Sequence, residues 1–176
     1  MNLKLKRTPG IYVVGFMASG KSTVGRHLAH RLGWNFFDTD DEIESAERMT
    51  IAEIFAARGE AEFRRIENSI IQQHFSWIER GRPAVLALGG GAFVEQANRQ
   101  LLADNGLAVW LDCPFLVVQR RVAKTSHRPL AQDPATFAAL YEARRDLYRI
   151  ADIHIPIESD DPEVTVEAIV RHPLFR

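Results

Sequence analysis

The sequence has 176 residues, of which 46% are hydrophobic and 26% charged, which is typical of an ordinary soluble globular protein. This length suits one domain with a sizeable core, so we expect a single domain over residues 1–176. A formal net charge of −1 provides no broad basic surface, which argues against nucleic acid as a partner.

The cysteine content and the hydropathy of the chain bear on its compartment. Cys113 is the single cysteine, which argues against a disulfide framework and a cysteine-rich metal site and favours a reducing, cytoplasmic compartment. Residues 1–10 carry basic side chains but lack the apolar stretch of a secretory signal. No apolar run approaches the roughly 20 residues that cross a bilayer. We therefore expect a cytoplasmic protein without a membrane anchor.

The first motif follows a short apolar run and has the spacing Gly15-x-x-x-x-Gly20-Lys21-Ser22. A predicted strand before it and a predicted helix after it complete a P-loop, in which backbone N–H groups and the helix N-terminus surround phosphate oxygens. Lys21 is then placed to reach the β- and γ-phosphates, and the hydroxyl of Ser22 to ligate Mg²⁺. We predict a P-loop over residues 15–23 that binds ATP through Ala18, Ser19, Gly20, Lys21, Ser22 and Thr23. Ala18 stands where many P-loops carry glycine, a position that tolerates a small side chain.

Strand-like and helical patterns alternate along the whole chain. Strands are predicted at residues 11–15, 35–38, 84–88, 108–112 and 152–157. Helices are predicted at residues 21–32, 39–47, 51–57, 61–79, 94–105, 114–124, 134–150 and 162–172. This alternation predicts an α/β protein with a parallel sheet that is covered on both faces and binds ligands at the carboxyl ends of its strands.

A pair of acidic residues in Asp38-Thr39-Asp40 follows the second predicted strand. One carboxylate there could hold water on a Mg²⁺ ion, and the other could accept a proton or a hydrogen bond from a substrate hydroxyl. The same residues would also cap the next helix well, and without the P-loop this alternative is at least as good. Beside a P-loop the catalytic interpretation gains weight, because a kinase needs acidic groups at this edge of the sheet.

Three consecutive glycines, Gly89, Gly90 and Gly91, follow the third predicted strand. Glycines permit unusual φ angles and a close approach of the backbone to a ligand. Alone they would favour a flexible turn, but the strand before them opens onto the same edge as the P-loop.

Arginines lie on or beside two apolar helical faces. Arg64 follows Glu60 by one turn in the longest predicted helix, whose apolar stripe includes Trp77, and by spacing alone it would form an ordinary surface ion pair. In the last predicted helix but one, Arg144 falls inside the apolar face and Arg145 at its edge. A guanidinium on an apolar face needs an anionic partner, either a nearby side chain or the carboxylate of a substrate.

The segment at residues 120–130 is basic, poorly periodic and broken by Pro129. Such a sequence predicts a mobile loop between two helices, which in a nucleotide enzyme can close over the phosphates and exclude water. We expect a lid at about residues 124–133, although a solvated basic loop is the plain alternative.

In their order and spacing these motifs resemble the shikimate kinase family. The set comprises Gly-Phe-Met at the P-loop, Asp-Thr-Asp, Gly-Glu-x-x-Phe-Arg-x-x-Glu, Gly-Gly-Gly-Ala, Arg-Pro-Leu and Arg-x-x-Leu-Tyr, and it covers nearly the whole chain. The resemblance implies a P-loop NTPase fold of the nucleoside monophosphate kinase type, with a five-stranded parallel sheet in the order 2-3-1-4-5 flanked by helices. It implies a substrate-binding region at about residues 38–67. It also implies a monomeric kinase that uses ATP and Mg²⁺ to phosphorylate shikimate at its 3-hydroxyl, a step toward chorismate and the aromatic amino acids.

The resemblance further implies a role for each matching residue. The catalytic residues would be Lys21, Asp40 and Arg128. Shikimate would be bound by Asp40, Arg64, Gly89, Gly90, Gly91 and Arg144. Mg²⁺ would be held by Ser22 and, through water, by Asp38. ATP would be contacted by the P-loop, by Arg121 near the adenine and by Arg128 on the transferring phosphate.

The chain departs from the family pattern at three places. Arg48 stands where the family often has glycine, and Ala131 follows Leu130 where a second leucine is usual. The segment at residues 148–152 looks one residue shorter than in many relatives, so the choice of Arg144 over Arg145 depends on anchoring the motif at Tyr148. The helical wheel supports the same choice independently.

Two alternatives to a shikimate kinase stay open on the sequence. One is a kinase on the same fold for another small polyol acid such as gluconate, against which the paired arginines and Asp-Thr-Asp argue. The other is a domain that binds ATP or shikimate as a sensor without turnover. Loss of Lys21, Ser22, Asp40 or Arg128 would favour the sensor, and all four are present.

Overall fold

The computed structural model describes residues 10–124 and 133–175, and the predicted alternation of strands and helices holds along them. The strands are β1 (Gly10–Val14), β2 (Asn35–Asp38), β3 (Ala84–Ala87), β4 (Leu107–Asp112) and β5 (Ile153–Pro156). The α-helices are α1 (Lys21–Leu32), α2 (Thr39–Glu47), α3 (Ile51–Glu79), α4 (Gln96–Asn105), α5 (Phe115–Ala123), α6 (Pro134–Tyr148) and α7 (Pro162–Arg171). Short 3-10 helices lie at Ala92–Val94 and Pro173–Phe175. None of the helices in the two described ranges is long and apolar enough to cross a membrane.

The five strands form one parallel sheet in the order β2-β3-β1-β4-β5, which confirms the predicted fold. β1 lies at the centre, where Ile11 is in register with Val85 of β3 on one side and with Leu107 of β4 on the other. The chain adds β2 and β3 on one side of β1 and then β4 and β5 on the other. This change of direction opens a crevice at the carboxyl end of β1, which is where sheets of this kind bind ligands.

Side chains from helices cover the sheet and close the core. Every residue of β1 and of β3 is buried, as their apolar sequences predict. The ring of Tyr12 meets Phe75 of α3 edge-on with 5.6 Å between the ring centroids, and Phe16 meets Tyr141 of α6 at 5.3 Å. The hydroxyl of Tyr12 donates to the carbonyl oxygen of Asn105 at 3.0 Å, which satisfies its polar end inside the core.

A second, smaller apolar cluster joins α2 to both halves of α3. It consists of Ile43, Ile54, Phe63, Ile66 and Ile70. The sequence predicts two helices here, at residues 51–57 and 61–79, and α3 is indeed interrupted at Gly59, whose φ of 80° and ψ of 172° are not helical. The interruption separates two helical segments that pack on the same cluster, and it sets the direction in which the second segment approaches the sheet.

One core prediction on α3 was wrong. The sequence places Trp77 in the buried stripe, but 41% of this residue is exposed. Its ring meets Phe37 of β2 edge-on, with 5.7 Å between centroids, and Arg82 lies over it at 5.2 Å from the ring centroid. Because β2 is the edge strand, the sheet ends before it covers this part of α3. Helical periodicity identifies the inward face but not how far the sheet extends beneath it.

The C-cap of α2 is strained, and this yields a stability prediction. Arg48 has left-handed backbone angles, with φ at 53° and ψ at 34°. A side chain in this region costs roughly 1–2 kcal/mol, whereas glycine adopts it freely, which explains the glycine that the family often carries here. We expect Arg48→Gly to raise the free energy of unfolding by about 1 kcal/mol, as measured by urea denaturation.

Arg80 is the matched control for Arg48, because it caps α3 with φ at −81° and ψ at 12°. Glycine relieves no strain there and adds freedom to the unfolded chain. Arg80→Gly should therefore lower the free energy of unfolding by about 0.5–1 kcal/mol. Equal effects of the two changes would show that the left-handed geometry of Arg48 is not a source of strain.

Candidate active site

The loop between β1 and α1 has backbone angles that favour glycine. Gly20 caps α1 with φ at 96° and ψ at 13°, and Ala18 is also left-handed with φ at 59°. This conformation explains why P-loops commonly carry glycine at the position of Ala18. Within the described chain no side chain caps the start of α1. The first N–H groups of this helix are therefore directed at a position suited to an anion.

Two cationic side chains lie on this loop. Lys21 Nζ donates to the carbonyl oxygen of Phe16 at 2.9 Å. Arg121 of α5 donates from Nη1 to the carbonyl oxygen of Ala18 at 3.0 Å and from Nη2 to Asp160 at 2.7 Å. The hydrogen bond from Arg121, together with its charge, holds the pKa of Asp160 below its usual range. Sequence reasoning did not select Asp160, although it follows the last strand at the carboxyl edge of the sheet.

A cleft of about 410 Å³ opens at the carboxyl edge beside this loop. On the side predicted to bind ATP and metal it is lined by Ala18, Ser19, Gly20, Lys21, Ser22, Thr23, Asp38 and Arg121. Asp40, after the edge strand β2, and Gly90, after β3, also line it. The opposite wall comes from the segment after β5 and the start of α7, with Ile157, Ser159, Asp160, Pro162 and Thr165. The cleft therefore brings residues predicted to bind nucleotide next to residues predicted to bind the acceptor.

Asp38 joins the start of α2 to the P-loop. Its Oδ1 accepts hydrogen bonds from the backbone N–H groups of Asp40 at 3.0 Å and Asp41 at 3.4 Å, so it caps α2. Its Oδ2 accepts a hydrogen bond from the hydroxyl of Ser22. The sequence left open whether these carboxylates cap the helix or serve the reaction; in the structure Asp38 caps α2 and also contacts Ser22 of the P-loop.

The oxygen atoms of Ser22 and Asp38 fit a magnesium ion. Mg²⁺ prefers oxygen ligands and usually binds through one or two protein groups, several waters and substrate phosphates. A hydroxyl and a carboxylate that meet beside a phosphate-binding loop supply such a set. Among the described residues no group of three or more His, Cys, Asp or Glu side chains is arranged to hold a metal.

The turn after β3 lies against two carboxylates. A Cβ atom on Gly89 would lie 2.5 Å from Asp40 Oδ1 and 3.0 Å from Glu67 Oε1, so a larger residue would displace these two carboxylates. Thr39 fixes this turn, because its hydroxyl accepts a hydrogen bond from the N–H of Gly89 at 3.0 Å and donates to the carbonyl oxygen of Ala87 at 3.3 Å. Sequence reasoning selected neither Thr39 nor Glu67 as a site residue, although both belong to its motifs.

Two guanidinium groups approach the same turn from different helices. A Cβ atom on Gly91 would overlap the guanidinium of Arg64, and one on Gly90 would lie 3.3 Å from Nη1 of Arg144. Tyr148 donates from its hydroxyl to the carbonyl oxygen of Gly90 at 2.5 Å, and burial raises the pKa of Tyr148 to about 12. Tyr148 is thus a neutral donor that ties α6 to the turn, a role that the sequence did not indicate.

Arg64 is held by acidic residues of its own helix. Its Nη1 donates to Glu67 Oε2 at 2.7 Å, whereas its Nη2 lies 3.5 Å from Glu60. Sequence spacing suggests the pair with Glu60 as the plain alternative to a binding site. In the structure the closer partner of Arg64 is the buried Glu67. Arg64 is therefore a part-buried residue beside the glycine turn, and its main ion pair does not lie on the surface.

Arg145 points away from the turn that Arg144 approaches. Its Nε and Nη2 donate to the two oxygens of Asp112 at 3.2 and 3.0 Å, and His154 contacts the same carboxylate at 2.9 Å. Burial alone would raise the pKa of Asp112, but the hydrogen bonds from Arg145 and His154 hold it below its usual range. Of the two neighbouring arginines, the one inside the apolar face on the helical wheel is the one beside Gly90.

The predicted lid remains the one part of the site without a structural account. Arg128 and most of the segment at 124–133 lie outside the described residues, which include only Lys124 and Asp133 of it. The role of Arg128 therefore stays a prediction.

Comparisons with known proteins agree with the motifs and the fold. Residues 17–172 match the family model for shikimate kinase. The chain is 45% identical over 163 residues to the shikimate kinase of Ruegeria pomeroyi, covering 91% of this chain and 80% of that protein. It is 43% identical over 164 residues to the shikimate kinase of Synechococcus elongatus, covering 91% of this chain and 84% of that one.

A solved structure gives the same result. The shikimate kinase from Acinetobacter baumannii in complex with shikimate is similar to this chain with 35% identity and a TM-score of 0.86. The similarity covers 95% of this chain and 93% of that one. The sheet order, the P-loop cleft and these matches over most of the sequence show that the chain belongs to the shikimate kinase family.

Proposed function

We propose that this chain transfers the γ-phosphoryl group of ATP to the 3-hydroxyl of shikimate and forms shikimate 3-phosphate and ADP. One observation carries the proposal beyond the family: Arg64 and Arg144 converge on a glycine turn that adjoins both Asp40 and the P-loop cleft. Such a site places side by side the groups that would bind a carboxylate, a hydroxyl and a phosphate. Shikimate and ATP together carry these three groups.

The nucleotide half of the site neutralises phosphate charge. The N–H groups at the start of α1 and the ammonium group of Lys21 would bind the β- and γ-phosphates, and Arg121 would lie near the adenine. Phosphoryl transfer has a loose transition state, so positioning and electrostatic stabilisation supply most of the rate. Lys21 would contribute most when charge builds up on the transferring oxygens.

Ser22 and, through water, Asp38 would hold Mg²⁺ in this reaction. The ion, when bound, supplies positive charge to the phosphate oxygens. The contact between the Ser22 hydroxyl and Asp38 supports this assignment, because it keeps both oxygens at the same end of the cleft.

The acceptor half of the site would recognise an acid that carries hydroxyl groups. Asp40 would accept the hydrogen bond of the attacking hydroxyl and orient it toward the γ-phosphate. Arg64 and Arg144 would bind the carboxylate with planar, charged hydrogen bonds. Backbone groups of Gly89, Gly90 and Gly91 would complete the contacts to the substrate.

The proposal extends to the organisation of the protein. We infer one kinase domain over residues 1–176, with a substrate-binding region at about 38–67 and a lid at about 124–133 that brings Arg128 to the transferring phosphate. We further propose that the enzyme acts as a monomer in the cytoplasm. The buried, unpaired thiol of Cys113 suits a reducing compartment.

The identity of the product tests the proposed regiochemistry. We expect the reaction with ATP and shikimate to yield one phosphate ester, whose ³¹P NMR signal couples to the proton on C3. The expectation follows from a carboxylate held by Arg64 and Arg144 while Asp40 orients a single hydroxyl. An ester on another hydroxyl, or a mixture of esters, would contradict the proposed placement of the substrate.

A further inference from the structure

The pair formed by Arg64 and Glu67 contains two polar atoms that are left without partners. Only 1% of the Glu67 side chain and 20% of the Arg64 side chain are exposed. Glu67 Oε2 accepts from Arg64, but Glu67 Oε1 and Arg64 Nε have no hydrogen-bond partner among the residues that the structure describes. A buried carboxylate oxygen without a donor is costly while the group is ionised.

Negative charge surrounds Glu67 from several elements. The carboxylate of Asp40 on α2 lies near it beside Gly89, and Glu95 at the start of α4 adds a further negative charge. On α3 itself Glu60 contacts Nη2 of Arg64, and Arg144 of α6 is a cation beside the same glycine turn. Burial raises the pKa of Glu67 to about 7, with Asp40 and Glu95 adding to the effect and Arg64 opposing it.

We propose that Glu67 takes up a proton when the carboxylate of the substrate binds to Arg64 and Arg144. The inference rests on the proposed function, because it takes shikimate as the ligand that brings the carboxylate. The new anion competes with Glu67 for the charge of Arg64 and adds to the negative charge of Asp40. A proton on Glu67 removes this repulsion.

The geometry gives the added proton an acceptor. A proton on Oε1 turns an oxygen that lacks a donor into a donor. Asp40 Oδ1 and Glu67 Oε1 lie 2.5 and 3.0 Å from the position that a Cβ atom on Gly89 would occupy, so the two oxygens are near neighbours beside the glycine. Glu67 Oε2 can still accept from Arg64 after protonation, so the guanidinium keeps its orientation. Glu67 thus acts as a positioning residue whose charge state follows the presence of the substrate.

The inference fixes the pH dependence of binding. Where Glu67 is already protonated in the free enzyme, below about pH 6, the Kd of shikimate should be insensitive to pH. Above about pH 7 each ligand must bring a proton with it, so the Kd should rise by up to about tenfold per pH unit. The Kd rises with pH because the pKa of Glu67 would be higher in the complex than in the free enzyme.

Calorimetry measures this proton directly. We would titrate shikimate into the enzyme at about pH 7.5 in buffers with different ionisation enthalpies, and we expect uptake of about half a proton or more. Glu67→Gln, which can still accept a hydrogen bond from Arg64, should abolish the uptake. Glu95→Gln is the matched control, because Glu95 is an exposed acid near Glu67 and outside the cleft, and it should leave the uptake in place.

The outcomes of this titration distinguish a failure of the proton-uptake inference from a failure of the proposed function. Binding of shikimate without proton uptake, or uptake that persists undiminished in Glu67→Gln, would overturn the inference and leave the proposed function standing. Failure of shikimate to bind at all would defeat the proposed function and the inference with it. Carboxyl ¹³C NMR of Glu67 in the unmodified chain gives the same answer without a variant, since its titration should move to higher pH when shikimate is added.

Discussion

Replacing Lys21 with alanine should lower kcat by about 10³-fold while the protein stays folded. The ammonium group lies on the P-loop, where it would meet the charge that develops on the transferring phosphoryl group. In the free enzyme it donates a hydrogen bond to the carbonyl oxygen of Phe16. Loss of that bond costs about 1 kcal/mol, which corresponds to a fall in Tm of about 2–4 °C for a chain of this size. Steady-state kinetics and thermal unfolding would measure the two effects separately.

Arg26→Ala is the matched control for Lys21→Ala. Arg26 is an exposed cation on the same helix and lies over the ring of Phe36, outside the cleft. Its removal should leave kcat within about twofold of the wild-type value, since an exposed side chain that contacts no ligand contributes little to the transition state. A folded Lys21→Ala variant with turnover close to wild type would remove Lys21 from the catalytic machinery.

Arg64→Lys and Arg144→Lys should each raise the KM for shikimate by about 10- to 150-fold, the range that corresponds to roughly 1.5–3 kcal/mol for a charged hydrogen bond. Lysine keeps the positive charge but loses the planar pair of donors that matches a carboxylate. The KM for ATP should change much less, because both guanidinium groups lie at the glycine turn and not on the P-loop. Initial rates with either substrate varied would separate the two constants.

Arg145→Lys is the control for Arg144→Lys. Arg145 already donates twice to Asp112, so its replacement should cost some stability without altering the KM for shikimate. The opposite pattern, with a raised KM for Arg145→Lys and none for Arg144→Lys, would mean that the motif had been aligned one residue out. The structure gives independent support to Arg144, because Tyr148, on which the alignment is anchored, also contacts Gly90.

Much of the fold follows from local patterns in the sequence. The apolar runs that became β1, β3 and β4 are buried strands, and the Gly-rich spacing at residues 15–22 forms the predicted loop at the start of α1. The order of the strands did not come from these patterns but from the resemblance to a known family. Motifs at the carboxyl ends of separate strands could be expected to meet, because a parallel sheet brings those ends to one edge.

The remaining features depend on contacts between distant residues. The exposure of Trp77 depends on where the sheet ends, and the partner of Arg64 depends on how deeply Glu67 is buried. Spacing alone favoured Glu60 as that partner, since i,i+4 pairs are common on helix surfaces. The raised pKa of Glu67 likewise comes chiefly from its burial in the folded chain, and the charge of Asp40 from another helix adds to it, neither of which a local pattern encodes.

A coupled assay of ADP release with shikimate, quinate and gluconate in parallel tests the central claim most directly. The account predicts rapid, Mg²⁺-dependent ADP release with shikimate, much less with quinate and essentially none with gluconate. The reason is that the turn between Arg64 and Arg144 and the carboxylate of Asp40 would fit one arrangement of an acid and its hydroxyl groups. ADP release with gluconate and none with shikimate would contradict the account, and tight binding of shikimate without any ADP release would identify a sensor.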